Sequence, residues 1–525
     1  MPEGSASLRT VTVTGDGLAL ADVVDVARGR ARAVLGPEVD ARMQRSRQVV
    51  ADAVAQDKVM YGITTGFGAL ADTHIGRADL ARLQLALVRS HAAGVGEPLD
   101  DVTVRALLLL RARTLAAGLS GVRPDLPARL LELLDRGLLP VVPSKGSVGA
   151  SGDLAQLAHL ALPLVGEGRL RRQGDADRWG RPAAELLAEA GIEPLTLAPK
   201  EGLSLINGTE PMQALLALAV DEAELLVRAA DVACALSVEG LLGTDRPYDE
   251  RVQRIRPHPG QLDSAANLRR LLAGSPLLLS HRYSDHAVQD SYSLRCAPQV
   301  HGAVRDVLAH ARRTIDIELT AVVDNPVIVD GEGDEPYEVM STGNFHGEPL
   351  AFAGDMLAMA LSELAGISER RTDRMLDPAF SRGLPPFLAP AAGTNSGYMI
   401  AQYTQASLVS ENKVLAHPSS VDSIPTSGNQ EDHVSMGWTS MRKLHEVIAN
   451  VRVVLAVELV CAAQAVDLRT PIAGPGPAGV AVRGLLRAHV PAMEVDRVVS
   501  DQVRAVDALL PELVEAAEAA VGSLS

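Results

Sequence analysis

The chain has 525 residues, of which 47% are hydrophobic, 22% are charged and only 3% are aromatic. With so few aromatic residues, alanine and leucine must fill the core, which favours packed helices over sheets. The formal net charge of -16 and the scarcity of lysine disfavour a polyanionic partner, so no nucleic acid is expected.

In the N-terminal part, short periodic segments alternate with glycine-rich breaks. After an alternating start and an Asp16-Gly17 turn signal, apolar spacing predicts helices over about 19–34, 39–56, 78–90, 102–117 and 126–134. Two glycine-rich loops interrupt them, at 61–70 and 144–159. A polar, mixed stretch over 173–197 is interpreted as a surface excursion.

From Asn207 onward the pattern changes to long helical runs. Helices are predicted over about 211–242, 298–322, 349–376, 396–415 and 434–466, with a hairpin between Pro326 and Met340 and further helix over 493–520. Runs of this length pack side by side in a bundle. We therefore predict a mainly α protein with a large helical-bundle body and a smaller mixed N-terminal domain, divided at 1–206, 207–480 and 481–525.

The cysteines and the apolar stretches indicate the compartment. Cys234, Cys296 and Cys461 are far apart and have no CxxC spacing, so neither a disulfide framework nor a cysteine zinc site is predicted. The first ten residues lack an apolar signal-peptide core, and the longest apolar stretch, 447–466, is interrupted by charged residues. A cytoplasmic protein that does not enter the membrane is expected.

The second glycine-rich loop contains Ala150, Ser151 and Gly152 in succession. A backbone ring forms when one amide nitrogen attacks the carbonyl two residues earlier, a step that glycine hinders least and that a small target such as alanine permits. Serine can then lose water to leave a carbon–carbon double bond. The tripeptide thus predicts an MIO (4-methylidene-imidazole-5-one) electrophile with no external cofactor. Taken alone, the same residues also fit an ordinary turn, with Ser151 as a helix cap.

The context of this tripeptide resembles a known family. The loop KGSVGASGDLAQLAH is similar to the signature of the aromatic amino-acid ammonia-lyases and aminomutases, whose helical fold is related to that of fumarase. Further motifs stand in the family's order: YGITTGFG at 61–68, LINGTE at 205–210, QDSYSLRCAPQV at 289–300, GNFHGEP at 343–349 and NQEDHVSMG at 429–437. Gln156 departs from the pattern, because the family usually has proline there.

The resemblance implies roles for individual residues. Tyr61 resembles the base that takes the β-proton, and positive helix ends would have to stabilise its phenolate. Arg295 resembles the clamp for the substrate carboxylate. Asn207 and Tyr292 also match, and they would hydrogen-bond the MIO carbonyl or the substrate. Phe345 would pack near the ring, and Gln289 resembles a further residue of the site.

Three positions indicate the substrate. Ser90 and His91 stand where phenylalanine and tyrosine lyases usually carry a Phe-Leu or His-Leu pair, and the histidine lyases resemble this chain there. Glu411, in SENKVLAHP, resembles the acid that meets the substrate imidazole, a partner that would be costly beside a bare phenyl ring. The resemblance therefore implies deamination of L-histidine to trans-urocanate and ammonia, in a homotetramer whose active sites are shared between subunits.

Several alternatives stay open. A tyrosine 2,3-aminomutase or a tyrosine or phenylalanine ammonia-lyase would use the same electrophile, and a catalytically silent protein would keep only the scaffold. Silent relatives usually lose reactive residues, whereas the cofactor tripeptide, Tyr61 and Arg295 are all present. A metal hydrolase is disfavoured because the 13 histidines are scattered, and no metal is predicted. A pyridoxal enzyme is disfavoured because Lys145 has no partner pattern.

Overall fold

The computed structural model of the chain describes residues 8–60, 63–65, 75–76, 79–149, 152–284, 286–332 and 336–525. Its α-helices are Leu20–Ala27 (α1), Val39–Ala55 (α2), Leu80–His91 (α3), Asp101–Ala116 (α4), Asp125–Asp135 (α5), Leu154–Ala161 (α6), Ala183–Ala190 (α7), Glu201–Ile206 (α8), Glu210–Gly240 (α9), Glu250–Arg254 (α10), Pro259–Leu271 (α11), Pro276–Ser280 (α12), Tyr292–Arg295 (α13), Ala297–Glu318 (α14), Glu348–Leu376 (α15), Met399–Leu415 (α16), Gly437–Arg469 (α17), Pro477–His489 (α18), Val499–Ala508 (α19) and Leu510–Val521 (α20). Its strands are Arg9–Val13 (β1), Ala31–Leu35 (β2), Val95–Pro98 (β3), Leu138–Pro140 (β4), Pro143–Lys145 (β5), Arg169–Arg172 (β6), Arg181–Pro182 (β7), Val327–Asp330 (β8) and Tyr337–Met340 (β9).

The long helices predicted after Asn207 are confirmed as α9, α14, α15, α16 and α17. The predicted hairpin is confirmed as well, since β8 and β9 pair antiparallel with Val327 opposite Met340. The strands form small sheets of two or three members, in the orders β1-β2, β3-β5, β4-β6-β7 and β8-β9. The prediction of a mainly α fold is therefore confirmed.

One predicted helix is wrong. The segment 19–34 was expected to be helical throughout, but α1 ends at Ala27 and Gly29 adopts a positive φ of 75°. The chain then forms β2, which pairs in parallel with β1 so that Ala31 lies opposite Arg9. The five residues Ala31–Leu35 fit both the apolar spacing of a helix and the alternation of a strand. Pairing with the distant strand β1 decides for the strand.

The chain forms two compact units. Unit 1 comprises Met1–Leu218, Arg312–Gly354 and Ser419–Arg442, and unit 2 comprises Ala219–Ala311, Asp355–Pro418 and Lys443–Ser525. Four of the five boundaries fall within α9, α14, α15 and α17, and the fifth lies between α16 and α17. The division into 1–206, 207–480 and 481–525 stays a prediction.

In unit 1, helix α4 forms the centre of the core. Asp100 caps its first turn by accepting a hydrogen bond from the Thr103 amide at 2.7 Å. Its arginines Arg105, Arg111 and Arg113 are buried and donate to backbone carbonyls, because a buried guanidinium must find acceptors. Helix α3 packs on α6 and α8, and β3 pairs with β5. These contacts surround the second glycine-rich loop.

In unit 2, buried charges connect the long helices. Arg371 of α15 and Glu458 of α17 form a fully buried ion pair at 2.5 Å, and Glu458 also accepts from Ser237 of α9 at 2.7 Å. Asp231 of α9 accepts from His301 of α14 at 2.7 Å. Because unpaired buried charges are costly, this network disfavours any sliding of one helix along its neighbour.

Helix α15 is long and apolar enough, by length and composition, to cross a membrane. However, 61% of its most apolar window is buried inside the protein. That degree of burial is typical of a core helix.

Candidate functional site

The predicted cofactor loop is described up to Gly149 and again from Gly152. Ala150 and Ser151, which would form the ring with Gly152, lie outside the described residues, and so does Tyr61. Their roles stay predictions. The flanks of the loop are described on both sides, and they show how the ring-forming segment is held.

The N-terminal flank is fastened by two other segments of unit 1. The Val148 carbonyl accepts a hydrogen bond from the Met436 amide at 2.8 Å. The Gly149 carbonyl accepts from the Ser435 hydroxyl at 3.1 Å and from the Gly347 amide at 3.2 Å. The loop is therefore anchored by segments nearly 200 and nearly 290 residues away in the chain, as a preorganised site requires.

The C-terminal flank is fastened to the LINGTE segment. Gly152 forms a parallel bridge with Gly208, and the Asp153 amide donates to the Gly208 carbonyl at 2.9 Å. Gly152 has a φ of +72°, and a Cβ added there would lie 1.8 Å from the Gly208 oxygen. Only glycine fits this position. The described flanks therefore fit a ring that requires glycine at the attacking nitrogen.

Asp153 was not singled out from the sequence, yet its carboxylate is fully buried beside the loop. It accepts hydrogen bonds from the Ser147 hydroxyl at 2.6 Å and from the Met212 amide, in the first turn of α9, at 3.1 Å. Burial raises the pKa of Asp153 to about 7, and these two hydrogen bonds only partly oppose the shift. From the sequence, an aspartate just before an apolar helix is interpreted as a helix cap. No neighbouring residue in the sequence indicates that the side chain of Asp153 is buried.

Asp153→Asn is expected to remove a pH dependence from the stability. Between its ordinary pKa of 3.8 and about 7, the folded chain holds a proton that the unfolded chain has released. The free energy of unfolding therefore falls as the pH rises, by up to about 1.4 kcal/mol per pH unit, and stops falling above about pH 7. Urea unfolding of both proteins at one protein concentration, from pH 5 to pH 8, measures this. A wild-type-minus-variant difference that is the same at every pH would contradict the prediction.

Asn207 lies at the end of α8 and is only 3% exposed. Its side-chain nitrogen donates to Asp324 Oδ1 at 3.3 Å and to the Asn325 carbonyl at 3.0 Å. Its own carbonyl accepts from Arg111 at 3.1 Å, and Arg111 forms a fully buried ion pair with Glu210 at 2.7 Å. Asn207 is therefore held through both its backbone and its side chain.

Ser90 and His91 occupy the last turn of α3. The Ser90 hydroxyl donates to the Leu87 carbonyl at 3.0 Å, and Nδ1 of His91 lies 2.9 Å from the same carbonyl. Because a carbonyl can only accept, this contact places the proton on Nδ1 and leaves Nε2 of the neutral ring as an acceptor. Beyond this turn, the Gly94 amide donates to Nε2 of His159 in α6 at 3.1 Å. The end of α3 thus lies beside the helix that follows the cofactor loop.

Phe345 is half-buried in the segment that leads into α15. Two residues later, Gly347 donates to the cofactor loop. The neighbouring His346 stacks on His433, with ring centroids 5.8 Å apart and planes 5° apart. Glu431, two residues before His433, is half-buried and accepts from the Thr426 hydroxyl at 2.6 Å. The GNFHGEP and NQEDHVSMG motifs therefore both lie on segments that fasten the cofactor loop.

In unit 2, Tyr292 and Arg295 lie at the two ends of the single-turn helix α13. The Arg295 guanidinium lies over the Tyr292 ring, 4.7 Å from its centroid, a favourable cation–π distance. Tyr292 is 71% exposed. Nε of Arg295 is buried and has no hydrogen-bond partner among the described residues. An unsatisfied buried donor is expected where a ligand supplies the acceptor.

A cavity of about 720 Å³ in unit 2 is bordered by Tyr292, Cys296 and, on α16, Ser410 and Lys413. Glu411 does not line it. The Glu411 carboxylate is exposed and accepts a hydrogen bond from Asn450 at 3.0 Å. The predicted imidazole partner is therefore already paired with an amide of its own unit.

Gln289 borders a second cavity in unit 2, of about 370 Å³. It precedes Asp290, which accepts from the Thr244 amide at 2.8 Å and pairs with Arg382 at 2.9 Å. Gln289 itself is exposed. Its predicted contact with substrate stays a prediction.

Within each unit, the predicted residues fall on segments that contact one another. In unit 1, the segments of Ser90, His91, Gly152, Asn207 and Phe345 meet around the cofactor loop. In unit 2, Tyr292 and Arg295 are in direct contact. The sequence analysis missed Asp153, Asp324, Lys200, Glu431 and Ser435, whose importance depends on burial or on contacts with distant parts of the chain.

The chain is similar to known proteins over nearly its whole length. A profile of the family described as aromatic amino acid lyase matches residues 18–488. Histidine ammonia-lyase of Anaeromyxobacter sp. (strain K) is 52% identical over 509 residues, which are 96% of this chain and 99% of the relative. Among solved structures, histidine ammonia-lyase from Trypanosoma cruzi is 41% identical, with a TM-score of 0.89 over 98% of this chain and 96% of that one. Tyrosine aminomutase from Streptomyces globisporus is 38% identical, with a TM-score of 0.90 over 98% and 99%.

The helical fold, the anchored glycine loop and these matches define an enzyme of the carbon–nitrogen lyase class. The similarity extends over nearly the whole length of the chain and of its relatives. The chain belongs to the aromatic amino acid lyase family.

Proposed function

We propose that the enzyme deaminates L-histidine to trans-urocanate and ammonia, using an MIO group formed from Ala150, Ser151 and Gly152. The observation that carries the proposal is the 52% identity to a histidine ammonia-lyase over 96% of the chain. The described half of the cofactor loop supports it, because Gly152 occupies a position that only glycine can fill.

The MIO group would be held by the anchors of Gly149 and Gly152, and it supplies an electrophilic carbon for the substrate's α-amino group. Arg295 would bind the substrate carboxylate with its guanidinium, whose Nε has no other partner among the described residues. Tyr292 supports that guanidinium through its ring. Tyr61 would take the β-proton, with its phenolate stabilised by helix N-termini.

The substrate imidazole would meet His91. Because Nδ1 of His91 contacts the Leu87 carbonyl, its Nε2 is an acceptor suited to the N–H of an imidazole. A phenol also has a donor, but a phenyl ring has none and would leave Nε2 unpaired, at a cost of about 1–3 kcal/mol. Phe345 would pack beside the ring, and Gln289 would contact the substrate.

We further propose a cytoplasmic homotetramer whose active sites are shared between subunits. The 71% exposure of Tyr292 supports this, since a residue that hydrogen-bonds substrate works best where water is excluded. The exposed Glu411 of α16 supports it in the same way. The molecular mass in solution, measured by light scattering, tests the assembly.

The second candidate is a tyrosine 2,3-aminomutase, favoured by the 38% identity and 0.90 TM-score of the Streptomyces globisporus enzyme. A tyrosine or phenylalanine ammonia-lyase would share the same electrophile. Purified protein is mixed separately with L-histidine, L-tyrosine and L-phenylalanine, and products are followed by ultraviolet absorbance and chromatography. Urocanate from histidine supports the proposal. A β-amino acid from tyrosine, with no urocanate, overturns it.

Two carboxylates can be compared as partners of the substrate imidazole. Glu411 is the predicted one, whereas Glu431 lies in unit 1 with His91, on the segment that anchors the cofactor loop. We expect Glu411→Gln to lower kcat/KM for histidine at least about tenfold, because an amide is a weaker acceptor than a carboxylate for the N–H of an imidazole. Glu431→Gln is the matched variant. A larger loss at Glu431 would assign the imidazole contact to that residue, and a loss below threefold at both sites would show that no carboxylate binds the imidazole.

A further inference from the structure

We propose that the buried pair Lys200–Asp324 positions Asn207, so that its amide oxygen is presented to the amino group of the substrate. This inference rests on the proposed function, because Asn207 contacts substrate only if the site is the one proposed. It assigns a role to two residues outside every motif noted in the sequence. It also decides between the two contacts predicted for Asn207.

The geometry forms a short chain of polar groups in unit 1. Nζ of Lys200 lies 3.0 Å from Asp324 Oδ2, and the Ser204 hydroxyl donates to the same oxygen at 2.9 Å. The other oxygen, Oδ1, accepts from the Asn325 amide at 2.7 Å and from the Asn207 side chain at 3.3 Å. Asp324 thus joins a cation on one side to Asn207 on the other.

Burial holds this series of polar groups in one arrangement. The side chains of Lys200 and Asp324 are both fully buried, and neither charge could lose its partner without a large desolvation cost. Although burial opposes ionisation, the charges of Lys200 and Arg111 hold the pKa of Asp324 below its ordinary value. Asp324 is therefore a carboxylate, which accepts hydrogen bonds and cannot donate them.

This acceptor fixes which end of the Asn207 amide faces it. Asp324 Oδ1 and the Asn325 carbonyl both contact the amide nitrogen. An amide oxygen in that place would face two acceptors with no hydrogen between them, so the flipped orientation is excluded. The amide oxygen therefore points away from Asp324. As an acceptor, it matches the N–H groups of an amine, and it cannot donate to a carbonyl of the MIO group.

A double-mutant cycle tests the proposal. Asp324→Asn loosens the Asn207 amide and Asn207→Ala removes it, and each is expected to lower kcat at least about tenfold. If Asp324 acts through Asn207, the loss of Asp324 has no further effect once that amide is gone. The double variant should therefore keep a kcat within about threefold of that of Asn207→Ala.

The measurements use whichever of histidine, tyrosine or phenylalanine the wild type converts fastest. If the wild type does not convert histidine, the proposed substrate is wrong. The positioning role of Lys200 and Asp324 is still tested by the variants on the substrate that is converted. Asp355→Asn is the control, because it removes a buried aspartate that pairs with Lys443 at 3.1 Å in unit 2; its kcat should stay within about twofold of wild type. A double variant more than about threefold slower than Asn207→Ala, with all three variants folded by thermal unfolding, overturns the proposal.

Lys200→Gln provides a second test of the proposal if Asp324→Asn does not fold. Without the Lys200 charge, Asp324 takes up a proton at higher pH, while Arg111, Ser204, Asn207 and the Asn325 amide still face it. A protonated Asp324 accepts the Asn207 N–H more weakly than a carboxylate does, so the amide of Asn207 is held less firmly. The acidic limb of the kcat profile should therefore move to higher pH. An unmoved profile in folded Lys200→Gln overturns the proposal.

Discussion

Replacing Ser151 with alanine is expected to lower kcat at least about 10³-fold, equivalent to about 4 kcal/mol of activation free energy. Alanine has no hydroxyl group, so the middle residue of the tripeptide cannot lose water to form the double bond. Without that double bond, the enzyme has no electrophile for the amino group, and an amine is a poor leaving group. Steady-state rates with the best substrate measure the loss.

The same substitution has a readout that does not depend on activity. Ring closure and dehydration each release one water, so the mature wild-type chain should be about 36 Da lighter than its sequence mass. Ser151→Ala cannot complete both losses. Ser144→Ala is the matched control in the same loop, because the Ser144 contact to Trp438 uses its backbone carbonyl, at 2.8 Å. Full activity in Ser151→Ala, or an unmodified mass in active wild-type protein, would end the MIO proposal.

Gly152→Ala is expected to abolish activity for a steric reason. The added Cβ would lie 1.8 Å from the Gly208 oxygen, and the backbone has a φ of +72°. The loop must therefore leave its bridge with Gly208, and the nitrogen that closes the ring moves with it. We expect a loss of at least about 10³-fold in kcat, together with an unmodified chain mass.

Gly174→Ala separates steric clash from backbone strain. Gly174 has a φ of +82°, close to that of Gly152, but no atom of the described residues lies within 4 Å of its added Cβ. This control should lose only about 1–2 kcal/mol of stability and keep its kcat. If both variants lose activity equally, backbone strain is the cause. If Gly152→Ala retains wild-type kcat and mass, its contact with Gly208 does not govern ring formation.

Local sequence patterns predicted the long helices and the chemistry of the cofactor tripeptide. Helices α9, α14, α15 and α17 follow from apolar spacing, because a helix buries one face of its own residues. The roles proposed for Ser151 and Gly152 follow from the chemistry of a serine hydroxyl and of an unhindered glycine nitrogen. The order of the motifs indicated the family before any fold was known, and the family match confirmed it.

Only the tertiary structure decided how the site is supported. The residues of β2 form a strand because they pair with β1, whereas their sequence alone fits a helix equally well. The Gly149 carbonyl meets Ser435 across 286 positions of the chain, and Asn207 meets Asp324 across 117. Burial of Asp153 and pairing of Lys200 with Asp324 likewise come from segments that are remote in sequence. Apolar periodicity reports the environment within a few turns, whereas hydrogen bonds and charge pairing between distant segments form only when the chain has folded.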